Sequence, residues 1–479
     1  MGTHPFVKLA LIGDSLGCTE GDPLGLLAPF ESMLSCGPAY LFQELFTDAT
    51  NDTGFSNTRA TTQYVETDTD NIFPVPGGAI PIKGARPVRN LAASSDTPST
   101  QNITVVVGRI YAVRIGDESA ASATAVCSGA FTGTLTGDAT DIQTFTTGKT
   151  ATTTTLTVTI TGSIRKLQVQ DITHRSASSV VPDEYVDSAT DYGTGVAGFR
   201  YFLTALANTV DGSGKVTELT GAALTGIALA MVPGATNLET LSAGTIATNN
   251  ITAVADGPSI VAGQDRVRIT ATSSFAILYL TPTLADSTDY CVWRYLQAGT
   301  TDWGFLQTRT KAGASVRTCF DLANGAIGTV NHASAGMREV STGVYLCWVV
   351  FNTATGGTSP LVGCGPAIGD GNFSTSTETI YSHHRQTEAG TLPTSAIVTS
   401  GSTASTDAAV IDFSGVTGFT TPNETRVVAT GLNASLEPDP TDTTERNVDA
   451  DDWDGTDLSD LVPHGNIISV TQYAPGERP

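Results

Sequence analysis

Val344 to Phe351 reads Val-Tyr-Leu-Cys-Trp-Val-Val-Phe, eight apolar residues in succession, and this run constrains the fold more than any other stretch of the chain. Side chains alternate between the two faces of a strand. A strand that is apolar on both faces must therefore be covered on both, as a central strand between packed sheets is. Strand length and β-rich composition recur at Arg266 to Ile269, Phe275 to Leu280, Asp289 to Leu296, Trp303 to Gln307 and Val316 to Phe320. Shorter alternating runs, such as Thr104-Val105-Val106-Val107 and Leu156-Thr157-Val158-Thr159-Ile160, lie upstream between Gly, Asp and Ser. The expected class is all-β, with two tandem antiparallel β-sandwich modules.

Hydrophobic residues make up 40% of the 479 and charged residues 15%, against roughly 25% charged in an ordinary domain. Disorder driven by charge is thereby excluded. Lys plus Arg total 24 against 47 Asp plus Glu, a net charge of −23, which repels nucleic-acid phosphates and anionic lipid headgroups. No run approaches the roughly 20 apolar residues of a membrane span, and Val7 to Ile12 is too short for a signal-peptide core, so the chain is expected to be made in a cytosol, without membrane insertion. Seven cysteines stand far apart with no C-x-x-C pair and read as buried free thiols, with no cofactor implied.

Composition divides the chain into an N-terminal arm (1–56), a first module (57–194), a larger second module (195–415) and an acidic C-terminal segment (416–479) with a final strand from Ile467 to Tyr473. The arm is expected to hold a short helix from Ala39 to Phe46. Its apolar set, including Leu26, Leu27, Phe30, Phe42 and Phe46, is too small for a core of its own and is expected to dock on a partner. The modules read as related copies. Ile80-x-Ile82 and Asn90-Leu91 match Ile227-x-Leu229 and Asn237-Leu238 at an offset of 147 (237 − 90), whereas Ile164, Asp171 and Pro182 match Ile380, Glu388 and Pro393.

Several patterns resemble the β-rich fibre and spike proteins of tailed-bacteriophage virions, which carry jelly-roll modules of the carbohydrate-binding type. They are Arg59-Ala60-Thr61-Thr62 with Tyr64-Val65, Ile82 to Arg86 leading to Asn90-Leu91, Pro182-x-Glu184-Tyr185-Val186 with Gly195-Val196-x-Gly198 and Tyr201-Phe202, and Ile380 to Thr399. The resemblance spans roughly 57–415 and departs from the family pattern at His383-His384, while residues 1–50 match nothing in it. It implies jelly-roll-like modules in a head or tail fibre or spike subunit. Its location would be the virion, its partners other virion proteins and host-surface polysaccharide, and its assembly a homo-oligomer, with a trimer favoured. A capsid decoration protein without a ligand is an alternative.

Lys8 to Leu16 runs from an apolar strand into Gly13-Asp14-Ser15-Leu16 and resembles the first block of the GDSL (SGNH) hydrolases. That resemblance would make Ser15 a nucleophile and Asp171-x-x-His174 the source of the base, giving an esterase acting on surface polysaccharide. Such an enzyme needs helices alternating with strands between nucleophile and base, yet Gln101 to Gly162 is Thr-rich and β-patterned. The expectation is no enzyme. For glycan contact, Trp303 beside the turn Gly299 to Asp302 is the first candidate, followed by Trp293, Tyr295 and Phe305, because aromatic faces beside Arg or Asp can stack on sugar rings. Asp449, Asp451 and Asp454 near Gly455 are calcium candidates, although Trp453 stands where an EF-hand loop needs an oxygen ligand.

Overall fold

The computed structural model describes the backbone of 40–45 and residues 56–473, apart from 69–70, 117–122, 138–143, 174–181, 193, 203, 206, 211–215, 221, 223, 225, 244–245, 374, 416–420 and 422. Among the described residues there is no α-helix. The one helical turn is a 3-10 turn at Leu458–Asp460, where the Asp457 side chain accepts from the Ser459 N–H. The chain is all-β, built on two antiparallel sandwiches.

In the first sandwich, a sheet ordered Gly133–Thr136, Thr124–Gly129, Thr155–Thr161, Gln101–Thr104 faces a second sheet centred on Ile110–Gly116. Thr155–Thr161 carries the alternation: Leu156 and Val158 are buried, with threonines between them. They meet Val113, Ile115, Leu167 and Val169 from the facing sheet in one core.

The second sandwich has two six-stranded sheets. One is ordered Ile251–Pro258, Asp265–Ala271, Thr379–Ala389, Asp289–Ala298, Val344–Asn352, Ser334–Ser341, and the other Ala247–Asn249, Ile277–Leu280, Leu361–Ala367, Trp303–Arg309, Ser315–Asp321, Ala326–Ile327. Val344–Asn352 is buried on both faces, for two separate reasons. Tyr345, Cys347, Val349 and Phe351 enter the core between the sheets. Val344, Leu346 and Trp348 pack outward against Ile72, Ile260, Val261 and Ala396, a layer supplied by connecting segments.

A third sheet unites distant parts of the chain. Arg446–Trp453, Asn423–Thr430, Gly465–Tyr473, Ala228–Met231 and Ile82–Lys83 lie side by side, and Tyr40–Leu45 also pairs with Gly465–Tyr473. The helix expected at Ala39 to Phe46 is thus a strand. A helix this short is marginal alone, and the open edge of Gly465–Tyr473 supplies backbone partners that a helix would not use. The acidic segment holds two further strands before the final one, because Val427, Ala429, Trp453, Ile467 and Val470 bury a common face with Phe199, Tyr201 and Leu229.

Ile82 and Leu229 correspond at the offset of 147 (229 − 82), and they pair with each other in antiparallel register. Equivalent residues of two repeated segments pair in this way when the segments meet antiparallel about a local two-fold. At the far ends of the copies the match moves by one residue from the sequence reading. Asp183 N–H donates to Gln170 Oε1, while Thr394 N–H donates to Glu388 Oε1, so Glu388 corresponds to Gln170 rather than Asp171.

Candidate functional site

The second sheet of the larger sandwich turns Leu278, Leu306, Phe320 and Cys364 into the core and Ile277, Tyr279, Trp303, Phe305, Gln307 and Arg317 outward. Gly365 stands opposite Phe305 on that outer face, where a Cβ would lie 2.9 Å from the Phe305 ring, so glycine lets the ring fold flat across the sheet. Phe373 closes over Phe305 edge to face at 5.1 Å, and Phe275 stacks on Phe373 at 6.0 Å with 29° between the planes.

Phe275 holds the site's distinctive conformation. Its φ is +59°, in the left-handed region that costs an aromatic residue steric energy, and the residue is 52% exposed. Three hydrogen bonds fix the turn. Phe275 N–H donates to Phe373 O at 3.0 Å, Asn250 Nδ2 to Ser274 O at 2.8 Å, and Thr375 Oγ1 to Ser273 O at 3.1 Å. Arg317 lies over all three rings, 5.2 Å from Phe275, 5.0 Å from Phe373 and 5.8 Å from Phe305, with Nε donating to Gln307 Oε1 at 2.6 Å. Burial lowers this guanidinium from its ordinary value. An exposed ring beside a fixed guanidinium can stack on the apolar face of a sugar and donate hydrogen bonds to its substituents.

The sequence candidates fall on both sheets. Trp303 is half-buried on the same outer face, packed against the cluster that contains Phe305, Cys319 and Ala367, and Phe305 is fully buried beneath the platform. Trp293 and Tyr295 belong to the other sheet and are buried, with Trp293 Nε1 donating to Glu388 Oε1 at 2.7 Å and its ring 5.1 Å from that of Tyr295. Trp293, Tyr295 and Phe305 are closed to an external ring, because strand aromatics here fill a second apolar layer outside the inter-sheet core. No propensity signal marks Phe275 or Phe373, since the left-handed turn at Ser273-Ser274-Phe275 lacks the glycine that usually announces one.

Asp449 forms an ion pair with Arg426 at 2.8 Å and lies on the strand Arg446–Trp453, so Asp449 and Asp451 share one face roughly 7 Å apart. They do not converge with Asp454, and among the described residues no group of three or more His, Cys, Asp or Glu could hold a metal ion. Asp171 accepts from Arg109 Nη1 at 2.7 Å and from the Thr173 N–H at 2.9 Å, whereas Ser15 and His174 lie outside the described residues. Leu26, Leu27, Phe30 and Phe46 also lie outside them, and Phe42 falls within the strand Tyr40–Leu45. His383 and His384 are buried side by side. His383 Nδ1 accepts from the Ile260 N–H at 3.1 Å, and the His384 ring lies 5.1 Å from that of Trp293, tilted by 38°.

A cavity of about 120 Å³ lies between the third sheet and the larger sandwich. Its charges are internally matched, with Glu66 held 2.7 Å from Lys83 and bridged to Arg338. Burial alone would raise the Glu66 carboxyl, but the two cations overcome it and hold the group well below the usual carboxylate range. Among the described residues no helix is long and apolar enough to cross a membrane.

No family model matches this chain, and no curated protein does. Among solved structures the chain is similar to the N-terminal CBM22-1-CBM22-2 tandem domain from Paenibacillus barcinonensis Xyn10C, at 9% identity and a TM-score of 0.22, covering 74% of this chain and 98% of that one.

Proposed function

We propose that the chain is a structural subunit of a tailed-bacteriophage virion, a head or tail fibre or spike, that adheres to host-surface glycan through the platform of Phe275, Phe373 and Arg317. The observation that carries the adhesion reading is Phe275, a large ring kept half in solvent by a strained turn that three hydrogen bonds enforce. The ring touches Phe373 and Arg317 on one side only and leaves about half of the residue to solvent, and strain of this kind collects at ligand sites. The virion reading is supported by the sequence resemblance over roughly 57–415 and by the apolar arm, whose Leu26, Leu27 and Phe30 need a surface to cover.

Binding of the full chain to host cells, compared with Phe275→Gly, tests the adhesion reading. Glycine suits the left-handed turn, so that variant folds and loses the ring alone. At least a tenfold loss of binding is expected; equal binding by the two proteins overturns the platform's role. Mass spectrometry of purified particles should find the chain in stoichiometric amount, and sedimentation of the purified protein should give a trimer. Absence from particles, or a monomer at micromolar concentration, overturns the corresponding part.

A further inference from the structure

Arg317 is a half-buried cation set among three aromatic rings in a chain with 47 carboxylates, yet no carboxylate meets it among the described residues. Its Nε is held by Gln307 at 2.6 Å, which fixes the plane of the guanidinium and leaves both Nη groups without a hydrogen-bond partner among those residues. Arg338 shows the alternative arrangement, with its Nη groups forked onto Glu66. The carboxylates at the Trp303 end of the same sheet are engaged elsewhere. Asp370 accepts from the Thr329 N–H and hydroxyl, and Asp321 from Asn324 and the Ala323 N–H.

We infer that the platform selects glycans carrying a carboxylate, such as uronic acids or other acidic sugars, with the sugar ring stacked on Phe275 and its carboxylate taken by the two Nη groups of Arg317. This rests on the adhesion reading and names its ligand class. A guanidinium presents paired donors at the spacing of the two carboxylate oxygens, a match that neutral hydroxyls do not reproduce. Desolvation among the rings strengthens the contact. The chain's net charge of −23 opposes an anionic ligand at long range, but salt confines that repulsion to about 8 Å at physiological ionic strength, so the local cation decides the bound state.

The test uses the full chain on an array of acidic and neutral bacterial polysaccharides, with each acidic one also printed after reduction of its carboxylates to alcohols. Binding is expected on carboxylated glycans, at least tenfold weaker on their reduced forms, and at least tenfold weaker for Arg317→Gln, with Arg317→Lys intermediate. Phe275→Gly should lose binding to every glycan. If neutral or carboxyl-reduced glycans bind as well as acidic ones and Phe275→Gly abolishes this, the acidic selectivity is overturned while the adhesion reading stands. If no glycan binds, both fall. The reduced glycans test wild-type protein, so the result does not depend on the Arg317 variants folding.

Discussion

Asn90 and Asn237 make the same four hydrogen bonds, one set in each sandwich. Asn90 Nδ2 donates to Leu167 O and Val186 O while its Oδ1 accepts from the Ala92 and Val169 N–H groups. Asn237 Nδ2 donates to Arg385 O and Ile397 O while its Oδ1 accepts from the Glu239 and Thr387 N–H groups. Each asparagine ties the beginning of its module to two segments at the end. The neighbouring glutamines repeat the match, Gln168 accepting from the Val186 N–H and Gln386 from the Ile397 N–H.

Removing either amide strands buried backbone groups, which cost about 1–3 kcal/mol each. Asn237→Ala should lower stability by roughly 3 kcal/mol, a little more than the loss of one such group. Trp293, Trp303 and Trp348 all lie in the second sandwich, so its unfolding dominates tryptophan fluorescence. Denaturation followed by fluorescence should therefore move strongly in Asn237→Ala and weakly in Asn90→Ala. Equal shifts would mean that the two sandwiches unfold as one unit.

At Phe275 stability and binding should separate. A left-handed residue with a side chain costs about 1–2 kcal/mol that glycine avoids. Phe275→Gly should thus be more stable than Phe275→Ala by about 1 kcal/mol, while both lose glycan binding equally. Denaturant midpoints beside binding curves for the two variants check this, and a Gly variant less stable than the Ala variant would contradict the strain at φ +59°.

The second sandwich should be acid-labile. Burial pushes the imidazole of His332 down to about 4 and those of His383 and His384 down to about 3. Unfolded histidine takes up its proton near pH 6.5, so between that pH and the folded values the unfolded state binds more protons. Their stabilising effect is complete above about pH 6.5 and shrinks as the pH falls, by at most about 1.4 kcal/mol per pH unit for each histidine. Denaturant midpoints measured at pH 7, 6 and 5 should fall steadily, with a shallower slope in His383→Gln. Constant midpoints over that range would refute it.

Gly336 should tolerate no side chain. Its strand pairs it with Trp348, and a Cβ there would sit 1.8 Å from the indole Cζ2. Gly336→Ala must push the indole off the sheet, at a cost of about 1–3 kcal/mol for overpacking. A shifted Trp emission maximum with a lowered denaturant midpoint is expected; an unchanged spectrum would show that the ring has room to move.

The all-β class, the strand at Val344–Asn352 and the paired Asn90 and Asn237 were legible in the sequence because each is written in local order: an alternation, an unbroken apolar run, or a repeated spacing. Trp303 and Phe305 could be assigned to one strand for the same reason, but not their depth, since burial is set by what the rest of the chain lays over that strand. Phe373 reaches Phe305 from a separate loop, and Ile72 and Ile260 cover the opposite sheet from connections far away in sequence. Tyr40–Leu45 became a strand because Gly465–Tyr473 offered it an edge, a partner more than 400 residues distant (465 − 45 = 420). The left-handed turn at Phe275 has no marking residue and exists because Phe373, Asn250 and Thr375 hold it. Periodicity therefore determined which segments extend and which faces are apolar, whereas long-range contacts decided which aromatics were sealed in and which was left in solvent beside Arg317.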